Sequence, residues 1–427
     1  MKSGYTVAFA FLIPWLLARI FWRSWREQKH RERWTERLGF YPSKSDLRRP
    51  LWVHAVSVGE SMAAAPMIKA IRERFPHLDL VISNTTLTGS ETVYRLFGDE
   101  IRQVYFPYDL PFCVNRFLDE FDPRMLLLLE TELWPNTLSV CTGRRVPVLL
   151  VNGRLSEVSL RSYKRVSSLS LEMVKELTCV AAQSDAHARR FIELGAEPEK
   201  VHVTGSLKFD FELPPSLYEQ AAVLRRSLDV NRPVLMFGST REGEENIILE
   251  SLQRLYSEFR DLLVVIAPRH PERFDAVAAM CRQAGLNVAR HSNIQHFSAQ
   301  DNVLIVDRMG ELTRYYAACD IAFVGGSLLP YGGHNILEPA ALGKPVLSGC
   351  HTFNFAETAE LLAGNGAMVE VGNADDLADA AERWLLDSNE RDRVGRIGQE
   401  LVRQHGGATQ KTLELVVDLM VETEVTM

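Results

Sequence analysis

The chain has 427 residues, 46% hydrophobic and 24% charged, a composition that suits two or three globular domains and excludes a disordered or fibrous protein. Its net charge of −7 is unevenly placed: residues 1–40 hold eight Lys and Arg against three Glu, a balance of +5 that leaves −12 for the rest. An acidic body argues against nucleic acid as the main partner, while a basic start suits anionic lipid head groups.

Residues 4–18 are uncharged and mostly apolar, and Ile20, Phe21 and Trp22 extend the run past Arg19. About 20 apolar residues are needed to cross a bilayer, so this run, interrupted by Pro14, is marginal. Basic residues crowd its C-terminal side, which places the following body in the cytoplasm. Arginine and tryptophan stand where a signal peptide would carry a cleavage site. Trp15, Trp22, Trp25 and Trp34 fit an interfacial aromatic belt. Residues 1–30 are therefore read as a membrane anchor or in-plane helix, with a buried core helix as the alternative.

From residue 51 short apolar runs alternate with amphipathic stretches, the pattern of a parallel sheet covered by helices. The strand candidates are residues 51–56, 78–83, 103–106, 125–129, 146–151, 179–182 and 201–204. Ligands of such sheets gather at the carboxyl ends of the strands. After the first candidate stands Glu60, at a strand-to-helix turn, either a general base or a complement to the helix dipole. After the fourth stand Glu130 and Glu132, followed by Trp134-Pro135. Arg154 follows the fifth, with Arg161, Lys164 and Arg165 beyond it, which suit an anionic, lipid-borne partner or a solvated helix face. Lys208 follows the seventh, placed to offset charge on a leaving phosphate. Residues 212–216 read as the linker.

Alternation then restarts, with strand candidates at 234–237, 263–267, 303–306, 321–325, 346–347 and 368–371. Gly238 and Gly243 have P-loop spacing, but Glu244-Glu245 stands where Lys-Ser/Thr is required, so this is no Walker motif. No G-x-G-x-x-G follows a strand, which counts against a nicotinamide cofactor. Pro268-Arg269 follows the second run, Met309-Gly310-Glu311 the third. Residues 320–349 form the stretch around which the half is organised: a buried strand, the glycine pairs 325–326 and 332–333, then a helix over 336–342. A glycine turn before a helix N-terminus makes a ready anion site. Glu338, three residues after Asn335, suits a sugar hydroxyl pair better than a phosphate. The six cysteines lie far apart with no CxxC pair, which reads as reduced thiols in a cytosolic compartment.

HAVSVGE (54–60), ETELWPN (130–136), GSLKFD (205–210), PRHPERF (268–274), GGHNILEPAALGKPV (332–346) and HTFNF (351–355) together resemble the 3-deoxy-D-manno-octulosonic acid (Kdo) transferases of Gram-negative lipopolysaccharide synthesis. The resemblance covers nearly the whole chain. It implies an α/β protein of the B-type glycosyltransferase fold, with two Rossmann-like domains facing a cleft. The expected division is a membrane anchor over 1–30, an acceptor-binding domain over 31–211 and a donor-binding domain over 212–427. It also implies transfer of Kdo from CMP-Kdo to the lipid A precursor, lipid IVA, with inversion and without a cofactor or bound metal. Carried over by motif, Glu60 is the general base, and Glu130 and Lys208 stabilise the transition state. Pro268, Arg269, Met309, Gly310, Glu311, Asn335, Ile336, Leu337 and Glu338 contact CMP. The rival expectations are a two-domain transferase or epimerase that uses a UDP-sugar, and a non-catalytic membrane-associated binding protein.

Overall fold

The structure, a computed structural model, describes residues 2–24, 33–41 and 46–425. Trp25, the basic residues at positions 26–31 and the expected boundary at 30/31 lie outside the described residues. The chain forms two compact units, one running to Glu212 and resuming at His405, the other Leu213–Gln404.

The first unit is built on seven parallel strands: β1 (Leu51–His54), β2 (Leu80–Asn84), β3 (Arg102–Tyr105), β4 (Met125–Leu129), β5 (Val148–Gly153), β6 (Cys179–Ala182) and β7 (Val201–Val203), in the order β3-β2-β1-β4-β5-β6-β7. All of β1, β2, β4, β5 and β6 is buried, as unbroken apolar runs require of a sheet covered on both faces. Trp52, Phe117, Leu126 and Leu128 belong to one core layer; Val53, Ile68, Leu127 and Leu129 belong to another. Ala408, Leu413 and Val416 complete that second layer. They come from the last helix, Ala408–Val425, whose first turn is capped by Asp210: its carboxylate accepts the Gly407 N–H at 2.6 Å and also that of Thr409. This corrects the expectation that everything after 212 belongs to the donor domain. An amphipathic helix shows in sequence that it covers a core, but not which one.

The second unit repeats the plan with β8 (Val234–Thr240), β9 (Leu263–Pro268), β10 (Val288–Arg290), β11 (Val303–Ile305), β12 (Ile321–Val324), β13 (Val346–Gly349) and β14 (Met368–Val371), all parallel, in the order β10-β11-β9-β8-β12-β13-β14. Strand β10 escapes the sequence reading because it is a three-residue edge strand with no fully buried position. Strand order reverses between β1 and β4 in one sheet and between β8 and β12 in the other. Those are the places where an open parallel sheet holds its ligands. Each unit is thus Rossmann-like.

The N-terminal helix, Lys2–Ser24, packs its first turns on the first unit. Lys2 pairs with Glu176 and lies 3.8 Å from Glu172, and Thr6 donates to Asn136 Oδ1 at 2.8 Å. Val7, Phe11, Leu12, Trp15 and Trp22 are exposed. Among the described residues no helix is long and apolar enough to cross a membrane. Trp34, assigned above to an aromatic belt, sits instead in a 3-10 turn, Trp34–Leu38, tied to β3. There buried Glu36 accepts the Arg33 guanidinium at 2.6 and 2.8 Å and the Tyr105 N–H at 2.8 Å. Arg37 lies over the Tyr105 ring at 4.3 Å. Lys2, Arg33 and Arg37, three of the eight basic residues counted at the N-terminus, are therefore engaged by the fold.

Candidate active site

In the first unit the chemistry gathers where β1, β4 and β5 end. Ser57 caps the helix Val58–Arg74, its hydroxyl oxygen accepting the Glu60 N–H at 3.3 Å. The Glu60 side chain reaches back and accepts the Val56 N–H at 2.6 Å and the Ser57 hydroxyl at 3.2 Å. This reciprocal capping fixes the carboxylate at the mouth of the strand. Burial pushes Glu60 up to about 7; the Val56 N–H pulls it back, and Glu130 and Glu132 add repulsion that raises it. Glu60 thus completes the helix cap, and its carboxyl exchanges its proton near neutral pH.

Glu130 leaves β4 with φ 57, a conformation few residues other than glycine adopt. Its N–H still donates to Val151 O at 2.9 Å, so the strand pairing carries it to the turn. Lys208 Nζ lies 3.8 Å from Glu130 Oε1. Lys208 stands in a 3-10 turn, Leu207–Phe209, held by Asn152, which also has a positive φ, 56, and whose Oδ1 accepts the Leu207 N–H at 3.1 Å. Two strained residues at adjacent strand ends thus place the acid and its cation. Glu132 accepts the Trp134 indole N–H at 2.9 Å, and burial, partly offset by that bond, raises its carboxyl. The Trp134 ring lies between Phe106 at 5.8 Å and Phe9 of the N-terminal helix at 6.5 Å. Glu60, Glu130, Glu132 and Lys208 are brought together, as the motifs imply.

In the second unit the turn at the first glycine pair, Gly325-Gly326, already holds a carboxylate. Buried Glu244 accepts the N–H groups of Gly326 at 2.7 Å and of Ser327 and Leu328 at 2.9 Å, and its own loop's Arg241 N–H at 2.8 Å. A phosphate at this first pair would meet a carboxylate, so an anion site in this stretch can lie only at the turn before the helix, after Gly333. Gly325 is required at this corner, since a Cβ would stand 2.6 Å from Ser239 O. The neighbouring Glu245 accepts Thr240 Oγ1 at 2.9 Å and Arg273 at 3.0 Å. The acid pair that spoils a Walker motif is therefore an internal brace.

The other candidates sit at neighbouring strand ends. Pro268 ends β9 in register with Thr240, and the Arg269 N–H donates to Thr240 O at 3.0 Å. Glu338 is held from both sides, accepting Asn335 Nδ2 at 3.2 Å and Thr313 Oγ1 at 3.4 Å. Burial raises its carboxyl while Arg269 nearby lowers it. Both oxygens keep a lone pair for a further donor, as a ribose diol offers. Thr313, which the sequence reading missed, belongs to the helix Leu312–Ala318 that starts beside Glu311. Glu311 is itself engaged, 3.3 Å from Arg314 and 3.8 Å from Arg308. Met309 is exposed and Gly310 has φ 91 with open space around it. Ile336 and Leu337 are core residues, so only their main chain is available to a ligand, and the Leu337 N–H already donates to Asn335 Oδ1 at 3.1 Å. Among the described residues no three His, Cys, Asp or Glu side chains gather to hold a metal ion.

Residues 32–211 match the family model described as 3-Deoxy-D-manno-octulosonic-acid transferase (kdotransferase), and residues 232–401 match Glycosyl transferases group 1. The chain is 36% identical over 414 residues to the 3-deoxy-D-manno-octulosonic acid transferase of Haemophilus influenzae, covering 96% of this chain and 97% of that one. The chain belongs to the Kdo transferase family. A second member, from Bordetella pertussis, is 37% identical over 381 residues, 87% of this chain and 88% of that one. Among solved structures, the UDP-GlcNAc 2-epimerase from Neisseria meningitidis superimposes with a TM-score of 0.59 at 16% identity, over 87% of this chain and 100% of that one. At that identity the likeness concerns the B-type glycosyltransferase fold alone. This Kdo transferase family member is thus a glycosyltransferase, with Rossmann-like units of parallel sheet.

Proposed function

We propose that the enzyme transfers Kdo from CMP-Kdo to lipid IVA with inversion, releasing CMP. The second unit holds the nucleotide: Arg269 meets the phosphate, Glu338 the ribose, and the main chain around Met309–Glu311 and Asn335–Leu337 the rest. The first unit supplies the base. A hydroxyl oxygen of the acceptor forms a bond to the anomeric carbon of Kdo while the bond from that carbon to the CMP phosphate oxygen breaks. The electron pair of the broken bond leaves with CMP, and the hydroxyl proton passes to Glu60. Glu130 and Lys208 stabilise the charges that develop in between. The observation that carries this reading is Glu60, a carboxyl held at about 7 beside Glu130 and Glu132. A base must be free of its proton when the acceptor arrives and must bind one in the transition state, which asks for an affinity near the working pH.

The exposed apolar side of the helix Lys2–Ser24 supports a site of action at the cytoplasmic face of the inner membrane, the helix lying in the interface. The reading is tested by incubating the purified protein in detergent with CMP-Kdo and lipid IVA. The expected result is a gain of whole Kdo units in the product mass, one CMP per unit, and inverted configuration at the new linkage. A folded protein that binds CMP but leaves lipid IVA unchanged overturns the acceptor assignment.

A further inference from the structure

The second unit carries two arginines on adjacent loops that are not spent on an ion pair. Thr240 and Pro268 are register partners at the ends of β8 and β9, so Arg241 and Arg269 open adjacent loops at the switch point of the sheet. Other arginines of this unit are spent on carboxylates: Arg225 on Asp320, Arg273 on Glu245, Arg290 on Asp275 and Arg314 on Glu311. Neither Arg241 nor Arg269 has an ion pair among the described residues. Arg241 is nevertheless firmly placed. It donates from NH1 to His270 Nε2 at 2.8 Å, and its guanidinium lies 4.6 Å from the centre of the Tyr331 ring. The Tyr331 hydroxyl donates to Glu242 O at 3.1 Å, fixing the ring in turn. His334 stands in the same group. Its Nε2 is buried without a partner, and burial, followed by Arg269, Arg241 and His270, lowers its affinity for a proton to about 4. A Cβ on Gly326 would come within 2.9 Å of that nitrogen.

A nucleotide monophosphate ester presents one anion, and Arg269 suffices for it. The donor named above presents two. An octulosonic acid bears its carboxylate on the anomeric carbon, the atom that also carries the phosphate oxygen. Phosphate and carboxylate are thus held a few bonds apart, and two arginines that open adjacent loops can serve them together. We infer that Arg241, oriented by His270 and Tyr331, receives the sugar carboxylate of the donor while Arg269 receives the phosphate. Arg241 is then the residue by which this protein tells an acidic donor sugar from a neutral one. A neutral sugar would leave a desolvated guanidinium unpaired.

The inference rests on the donor reading proposed above, and the test separates the two. Full-length wild type, Arg241→Ala, Arg241→Lys and Arg269→Ala are titrated calorimetrically with CMP and, in the cold without acceptor, with CMP-Kdo. The expected result for Arg241→Ala is CMP affinity within about two-fold of wild type and CMP-Kdo affinity lower by about ten-fold or more. Arg241→Lys recovers part of that loss, and Arg269→Ala weakens both ligands. If Arg241→Ala weakens CMP as much as CMP-Kdo, Arg241 is a phosphate ligand and the inference is overturned. It is equally overturned if that variant, with its CMP binding intact, holds CMP-Kdo as wild type does. A wild-type protein that binds neither nucleotide overturns the donor reading itself.

Discussion

Glu60 is a residue whose two roles pull against each other. With its carboxyl raised from 4.5 to about 7, the folded protein binds a proton more tightly than the unfolded chain between those values. Its contribution to stability is fully present below about pH 4.5 and is lost as pH rises through 7. Above 7 the ionised, half-buried carboxylate is a net cost, at most about 3 kcal/mol and about half that for a group solvent still reaches. Glu60→Gln, which keeps the acceptor for the Val56 N–H, should therefore melt higher than wild type at pH 8 and match it at pH 4; calorimetric scans at the two values decide this. The same affinity predicts that kcat/KM falls tenfold per unit below pH 7. Glu132 contributes repulsion to Glu60, so Glu132→Gln should move that acid limb to lower pH while retaining most of kcat. A collapse of kcat in Glu132→Gln would instead make Glu132, and not Glu130, the partner acid.

At the scale of elements, the strands were legible because parallel sheets bury unbroken apolar runs, and Met125–Leu129 admits no other placement. Strand β10 was not, because Val288, Ala289 and Arg290 are all partly exposed at an edge. The glycine pair at 325–326 was legible as the break after a buried strand, but the carboxylate it holds was not. That Glu244 occupies it follows only from the approach of the loop after β8 to the loop after β12, a tertiary fact. Removing that carboxylate leaves four N–H groups without their acceptor in a dry corner. Glu244→Ala should therefore destabilise the second unit by about 3 kcal/mol or more, read as an earlier urea midpoint with weakened CMP binding. An unchanged midpoint would mean that water replaces Glu244 without cost. Likewise the position of Glu60 was legible from its motif, whereas its raised proton affinity depends on its burial in the fold, with repulsion added by Glu130 and Glu132 from another strand end.

For the whole molecule, the chain leaves the first unit after Glu212 and returns to it at His405. The returning helix, Ala408–Val425, packs on the helix Val58–Arg74, which begins beside Glu60, and its first turn is capped by Asp210, two residues past Lys208. The C-terminus therefore supports the base and the lysine although it lies far from both in sequence. A chain ending at 404 should retain a folded second unit that binds CMP, while its first unit unfolds at lower temperature and loses turnover. Addition of a peptide spanning 405–425 should restore part of that loss. Two calorimetric transitions unchanged by the truncation would contradict this account of the last helix.

The most direct test of the central claim is the initial rate of Kdo transfer from CMP-Kdo to lipid IVA by Glu60→Gln beside wild type, with CMP affinity measured on the same samples. The account predicts a loss of about a hundred- to ten-thousand-fold in rate with CMP affinity unchanged, because Glu60 and the nucleotide residues belong to different units. A rate within tenfold of wild type in a variant that binds CMP normally would contradict it, and the base would have to be sought elsewhere.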